Sequence, residues 1–243
     1  MTINDAIVKP VKGNKFPSLG PVSVMVCSRE DLRLLCNLMN IREDNFSNLF
    51  MSRLYKASNA NIDISIAGPL IGAPYAAMLL ETLVARGAQK IILFGWCGGV
   101  SLNIKIGDII VPTASIIDEG TSKHYGIKSS KAIPSKNVVR KIQGELIKEN
   151  IKYHKGTIWS NDAIFRETPK KVKKFQKKDV LAVDMEMSAF FTVGRYRSIE
   201  VGGILVVSDE LATFKWRPGF REKRFKQNRK VVCEAIQSLC RVL

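Results

Sequence analysis

The chain has 243 residues, of which 46% are hydrophobic, and its formal net charge is +16. The apolar fraction is ample for a folded core, and no apolar run is long enough to predict a membrane span. Two histidines and five cysteines without a CxxC pair favour neither a metal site nor a disulfide framework, so we expect a reducing, cytoplasmic location.

The positive charge favours small anionic partners such as phosphate or nucleotides. Most of the excess lies in "KKVKKFQKK" (170–178) and "REKRFKQNRK" (221–230). Both runs are typical of solvated helix faces, and neither has the interleaved aromatic residues of a base-stacking surface. Nucleic-acid binding is therefore the least favoured function.

Short β-branched runs alternate with helix-like stretches along the chain. The pattern predicts strands at 21–27, 62–68, 90–95, 107–113, 157–160 and 203–209, and helices at 74–87, 135–150 and about 217–241. This alternation predicts an α/β fold, a single domain over 21–243 with a central twisted mixed sheet flanked by helices. Residues 1–20 are expected to form a partly extended lead-in.

Unusual polar residues follow four of the predicted strands, at 95–99, 160–162, 184–186 and 208–210. Ligands of open α/β sheets bind at the carboxyl ends of the strands. We therefore expect these four segments to converge on one pocket, which favours an enzyme.

"VLAVDMEMSAFF" (180–191) contains two carboxylates in an apolar run, and such groups need a partner when they are buried. If a helix starts near Met185, Glu186 lies in its first turn. In one interpretation Asp184 caps that helix and Glu186 complements its dipole. In the other, a carboxylate accepts hydrogen bonds from two vicinal hydroxyls, as on a ribose.

"VVSDEL" (206–211) and the glycine turn "GWCGG" (95–99) each allow two interpretations. Asp209 either caps the next helix or, if partly desolvated, acts as a general acid. The glycines serve a tight crossover or the close approach of the backbone to a ligand. Cys97 has no nearby base in the sequence, which disfavours a nucleophilic role.

Taken in order, "GPLIGAPYAAMLLETLVARGA", "GWCGGVSLNIKIGDIIVPT", "SNDAIF", "VDMEMSA" and "VVSDEL" resemble the nucleoside phosphorylase family, over residues 22–211. That family includes purine nucleoside phosphorylases, uridine phosphorylases and the nucleosidases acting on methylthioadenosine. The resemblance implies a nucleoside phosphorylase-like fold. It also implies that Met185 and Glu186 hold ribose and that Asp209 protonates the departing base, which points to purines. Base contacts are implied for Ile164, Phe165 and Ser208, and a pocket loop for Gly95, Trp96, Cys97 and Gly98. Residues 211–225 differ from the best-known members; there Arg217 and Trp216 are close enough to Asp209 in sequence either to bind the base or to start the last helix.

The chain departs from the family at the phosphate site. Where phosphorylases commonly read G-D-P-x-R, this sequence has "CSRED", with Asp31 in place of the arginine. A second arginine is replaced by Leu93, and a hydroxyl residue by Trp96. Arg29, Arg33 and Arg53 are candidates to replace the lost cations, because an oxyanion in a closed pocket needs guanidinium groups or an equivalent set of donors.

The expected function is phosphorolysis of a purine nucleoside, which yields the base and ribose 1-phosphate. No cofactor or metal is expected, and phosphate is the co-substrate. Two alternatives stay open: a nucleosidase that uses water, and a non-catalytic nucleoside or nucleotide sensor. The resemblance also implies a homo-oligomer, a dimer or a hexamer, in which a neighbour completes the pocket.

Overall fold

An eleven-stranded sheet with helices on both faces forms the fold of the described residues, 6–10, 18–59 and 62–243, in a computed structural model. The strands are β1 (Val22–Val26), β2 (Ser47–Leu49), β3 (Ser52–Asn59), β4 (Ile62–Gly68), β5 (Lys90–Gly99), β6 (Ile109–Asp118), β7 (Lys131–Ala132), β8 (His154–Asn161), β9 (Ala182–Asp184), β10 (Glu200–Glu210) and β11 (Arg217–Pro218). The helices are α1 (Arg29–Leu38), α2 (Ala73–Ala85), α3 (Lys136–Lys148), α4 (Pro169–Gln176), α5 (Met187–Tyr196) and α6 (Lys223–Leu239).

The predicted α/β class and mixed sheet are confirmed. All six predicted strands are present, as β1, β4, β5, β6, β8 and β10, and the three predicted helices are α2, α3 and α6. The last helix starts at Lys223, because residues 217–218 instead form β11. Much of the predicted lead-in, residues 1–5 and 11–17, lies outside the described part of the chain.

Part of the sheet forms a closed ring of strands. β5 pairs in parallel with both β1 and β10, and it pairs antiparallel with β9. β10 continues to β6, β6 to β8, and β8 to β9, so that β5 and these four strands form a closed ring of five. The carboxyl ends of β1, β5 and β10 therefore lie side by side.

Both faces of this sheet are buried. Val24 and Ile92 belong to one core cluster, and the next residues along the same strands, Met25 and Leu93, belong to another. Alternate residues of a strand point to opposite faces, so a strand covered on both faces reads as a continuous apolar run. None of the helices in the described ranges is long and apolar enough to cross a membrane.

Candidate active site

A cavity of about 300 Å³ opens where β1, β5, β9 and β10 end. It brings together eight residues that the sequence predicted for a site: Trp96, Cys97, Gly98, Ile164, Met185, Glu186, Ser208 and Asp209. The other predicted site residues, Gly95, Phe165, Arg217, Arg29, Arg33 and Arg53, are not among its lining residues. Three of the four polar segments, 95–99, 184–186 and 208–210, therefore contribute lining residues. The fourth, 160–162, does not line the cavity, and its Ser160 instead hydrogen-bonds Asp184.

Asp184 ends β9 and caps helix α5. Its carboxylate accepts hydrogen bonds from the backbone N–H groups of Glu186 and Met187, at 2.9 and 2.7 Å, and from the Ser160 hydroxyl at 2.5 Å. These donors are the unpaired amides expected at a helix start. Burial raises the pKa of Asp184, and the three hydrogen bonds oppose that rise. Asp184 thus takes the capping role that the sequence left open.

Glu186 lies just before α5, not in its first turn as expected, because the helix begins at Met187. Its Oε1 accepts a 2.5 Å hydrogen bond from the N–H of Gly72, which precedes α2 at a φ of 82°. The carboxylate therefore lies near the positive ends of two helices. Burial and then the neighbouring Asp184 charge raise the pKa of Glu186. Its remaining lone pairs are available to hydroxyl donors in the cavity.

Asp209 lies beside a bulge in β10. Val207 pairs with Cys97 and Asp209 with Gly98, which leaves Ser208 as an extra residue between them. Bulges re-aim side chains beside active sites. A Cβ on Gly98 would lie 2.4 Å from the end of the Leu211 side chain and 3.2 Å from the Asp209 carboxylate, so a larger residue there would displace Leu211 next to the acid.

Two side-chain donors fix the Asp209 carboxyl group. Ser208 Oγ donates to Oδ1 at 2.6 Å, and Trp216 Nε1 donates to Oδ2 at 2.9 Å. Arg217, which the sequence suggested as a base contact, instead donates to Glu210 and Glu222 at 2.8 and 2.7 Å. Of Trp216 and Arg217, it is therefore Trp216 that contacts the Asp209 carboxyl group.

Glu167 is a lining residue that the sequence reasoning did not single out. It follows the segment with Ile164 and is half-buried near Asn161, whose side chain lowers its pKa. Burial raises its pKa from 4.5 to about 7, with smaller contributions from Asp209 and Asp184. Glu167 could have been found in the sequence as the carboxylate that ends the polar turn "SNDAIFRE", shortly after Ile164 and Phe165.

Cys97 lines the cavity as a neutral thiol. Burial raises its pKa well above the ordinary value, and the carboxylates of Asp184 and Asp209 raise it further. Because the thiolate is the nucleophile in cysteine chemistry, this environment disfavours covalent catalysis by Cys97. Gly95 lies behind it, where a Cβ would come within 3.0 Å of Cys27 Sγ.

No lysine or arginine of the described residues lines the cavity, whereas Glu167, Asp184, Glu186 and Asp209 do. Arg29 is exposed, and Arg33 forms a 3.1 Å ion pair with Glu43 away from the cavity. Arg53 packs over the Phe46 ring, 4.3 Å from its centroid. Their predicted role as phosphate ligands stays a prediction.

The sequence profile described as "Phosphorylase superfamily" matches residues 22–243, and the chain belongs to this family. The resemblance predicted from the motifs is thereby confirmed.

The names of the individual relatives state several different activities. The chain is 30% identical over 163 residues to a guanosine phosphorylase of Halorubrum lacusprofundi, covering 66% of this chain and 68% of the relative. It is 26% identical to a DeoD-type purine nucleoside phosphorylase of Caldanaerobacter subterraneus, covering 62% and 66%. A solved uridine phosphorylase of Vibrio fischeri superimposes with a TM-score of 0.80 at 26% identity, covering 92% and 93%. An AMP nucleosidase of Bacteroides thetaiotaomicron shares the fold, with a TM-score of 0.73 at 21% identity, covering 92% and 90%.

Proposed function

We propose that this protein cleaves the N-glycosidic bond of a purine nucleoside and releases the base. One observation carries the proposal: Glu186 and Asp209 line the same cavity, each fixed by hydrogen bonds. Glu186 binds the two ribose hydroxyls, with Met185 packed on the sugar, and Asp209 protonates the purine at N7.

The two carboxyl groups act on opposite ends of the scissile bond. Breaking the bond leaves positive charge on the ribose and pushes electrons into the base. A proton donated to the base and contacts that orient the sugar act mainly in the transition state, which is where binding energy raises the rate. No metal or organic cofactor enters this scheme.

Glu167 supports a 6-oxopurine as the base. It lines the same cavity as Asp209 and Ile164. Above its pKa of about 7, the ionised Glu167 accepts hydrogen bonds and donates none, so it matches the N1–H and 2-amino donors of guanine or the N1–H of hypoxanthine. Adenine presents an acceptor at N1 and matches less well. A guanosine phosphorylase among the relatives supports the same assignment.

Two acceptors are candidates for the ribosyl group. Phosphate, which would give ribose 1-phosphate and make the protein a pentosyltransferase, is favoured by the phosphorylases among the relatives. Arg29, Arg33 and Arg53 are then the candidate ligands, supplied within the chain or by a neighbouring copy. Water, which would give free ribose, is favoured by a cavity whose described lining has no cation.

The test is chromatographic measurement of base release from guanosine, inosine, adenosine and uridine, with the sugar product identified. We expect release from guanosine and inosine, slower release from adenosine and none from uridine. Nucleosides that bind without any base release would indicate a sensor. Equal release from uridine and guanosine would contradict the roles given to Asp209 and Glu167.

A further inference from the structure

We propose that water is the ribosyl acceptor. On the side of the pocket next to β1, Trp96 lines the wall, and the ion pair between Asp31 and Arg229 lies behind it. The residues concerned are Asp31, Trp96 and Arg229, called here the Asp31 cluster. The inference rests on the proposed base release and assigns its second substrate. It makes the protein a hydrolase in place of a transferase.

The charge of the cavity is the first observation. Its described lining contains Glu167, Asp184, Glu186 and Asp209 but no lysine or arginine. A phosphate dianion would find no cation of the described residues among these carboxyl side chains, whereas an oxyanion in a closed pocket needs guanidinium groups or an equivalent set of donors. Water carries no charge and needs no such donors.

The start of helix α1 is the second observation. Cys27 and Ser28 line the cavity just before this helix, at a position where exposed backbone N–H groups would otherwise attract an anion. Here Ser28 Oγ caps the helix by accepting the N–H of Asp31 at 3.0 Å, and it donates to the Asp31 carboxylate at 2.8 Å. The first turn also carries Glu30 and Asp31, so the protein's own carboxylates already complement the helix dipole.

The position of the nearest cation is the third observation. Arg229 donates to Asp31 Oδ1 at 2.7 Å, and the Asp31 carboxylate is buried while the Arg229 side chain is 14% exposed. Trp96 Nε1 donates to the other oxygen of the same carboxylate at 2.7 Å. The Arg229 guanidinium lies 4.6 Å from the Trp96 ring centroid. Trp96 lines the cavity and Arg229 does not, so the indole separates this cation from the substrate.

Removing Arg229 from Asp31 to bind phosphate would leave a buried, unpaired carboxylate, which is costly. The cluster therefore keeps the cation bound internally. Hydrolysis requires no cation from the protein. The C1′–N9 bond breaks with its electron pair going to the base, Asp209 gives its proton to N7, and water adds to C1′. The proton lost by that water passes to solvent, from which Asp209 is reprotonated.

The experiment measures base release from guanosine or inosine by the full-length protein in phosphate-free buffer and with saturating phosphate, in oxygen-18-labelled water. We expect a rate ratio of about one and free ribose carrying the label at C1, because phosphate takes no part in the transition state. Release that requires phosphate, with ribose 1-phosphate as product, would overturn the inference and leave the proposed base release intact. No release under either condition would remove both.

Arg229→Met adds a second measurement, with Lys230→Met, an exposed cation of the same helix, as its matched control. The water account predicts that both variants keep a phosphate ratio of about one. If Arg229→Met folds and alone loses a phosphate-stimulated rate, Arg229 is an anion ligand and the inference is wrong. If Arg229→Met does not fold, the wild-type measurement decides by itself.

Discussion

At the residue scale, the two carboxyl groups assigned to the reaction differ in their hydrogen-bond donors. Glu186 accepts backbone N–H groups of Gly72 and Met185, which belong to the starts of two helices and hold the group in place. Asp209 accepts only side-chain donors, Ser208 and the exposed Trp216. A fixed carboxylate suits orientation of the ribose, whereas a group held at the pocket mouth can exchange a proton with solvent.

Glu167→Gln tests the environment of the third carboxyl group. The folded-state pKa of Glu167 is raised from 4.5 to about 7, so the protonated form favours the folded protein. This stability is fully present below pH 4.5 and is lost as the pH rises through 7. Denaturant unfolding at a series of pH values should therefore show the wild type losing more unfolding free energy across this window than the variant. Parallel pH profiles for the two proteins would contradict the raised pKa.

At the scale of elements, the start of helix α5 depends on a serine in β8. Ser160 Oγ donates to Asp184 at 2.5 Å and accepts the N–H of Ser188 at 2.9 Å, so the strand, the cap and the helix are joined through one hydroxyl. Asp184 in turn holds the N–H of Glu186 at 2.9 Å. The position of the ribose carboxylate is thus set by the junction of β8, β9 and α5.

Ser160→Ala should lower the free energy of unfolding by about 1–3 kcal/mol, because it removes the hydrogen bond to Oδ1 of the buried Asp184 carboxylate and the acceptor of the buried Ser188 N–H. It should also raise the KM for nucleoside, because Glu186 loses its fixed position. Ser23→Ala is the matched control, since Ser23 is equally buried and bonds Ser65 at 2.5 Å in β1, away from the cavity. Equal changes of KM in the two variants would remove Ser160 from the site.

The sequence predicted the elements whose signals are local. The β-branched runs in β5 and β10 predict strands, and the polar residues that follow these two strands predict the pocket. The pairing of Asp31 with Arg229 could not be read, because 198 residues separate them and the contact depends on the packing of α1 against α6. Trp216 and Arg217 are neighbours in the sequence shortly after Asp209, and only the pairing of β11 with β10 decides which of them contacts it.

At the scale of the whole molecule, exposed apolar side chains near the pocket support the proposed homo-oligomer. Met51 is 82% exposed, and Ile71, which also lines the cavity, is 72% exposed. A second copy of the chain covering this face would bury both and close the rim of the site. The net charge of +16 opposes such association at low ionic strength, where like charges are poorly screened.

Met51→Glu should shift the protein towards the monomer in sedimentation velocity, and raising the salt concentration should favour the larger species of the wild type. Leu102→Glu is the control, because Leu102 is also exposed, at 61%, and does not line the cavity. A wild-type protein that sediments as a monomer at every salt concentration would contradict the proposed oligomer. Dissociation of both variants alike would instead place the interface elsewhere.

The most direct test of the central claim compares guanine release from guanosine by the wild type, Asp209→Asn and Glu210→Gln. Glu210 is the neighbouring acid, bonded to Ile106 N–H and Arg217 outside the cavity lining, so its variant controls for loss of charge. We expect Asp209→Asn to lower the rate by about 10²–10⁴-fold, the usual contribution of a general acid, while guanosine still binds and Glu210→Gln stays near the wild type. Unchanged release by Asp209→Asn would show that Asp209 is not the general acid.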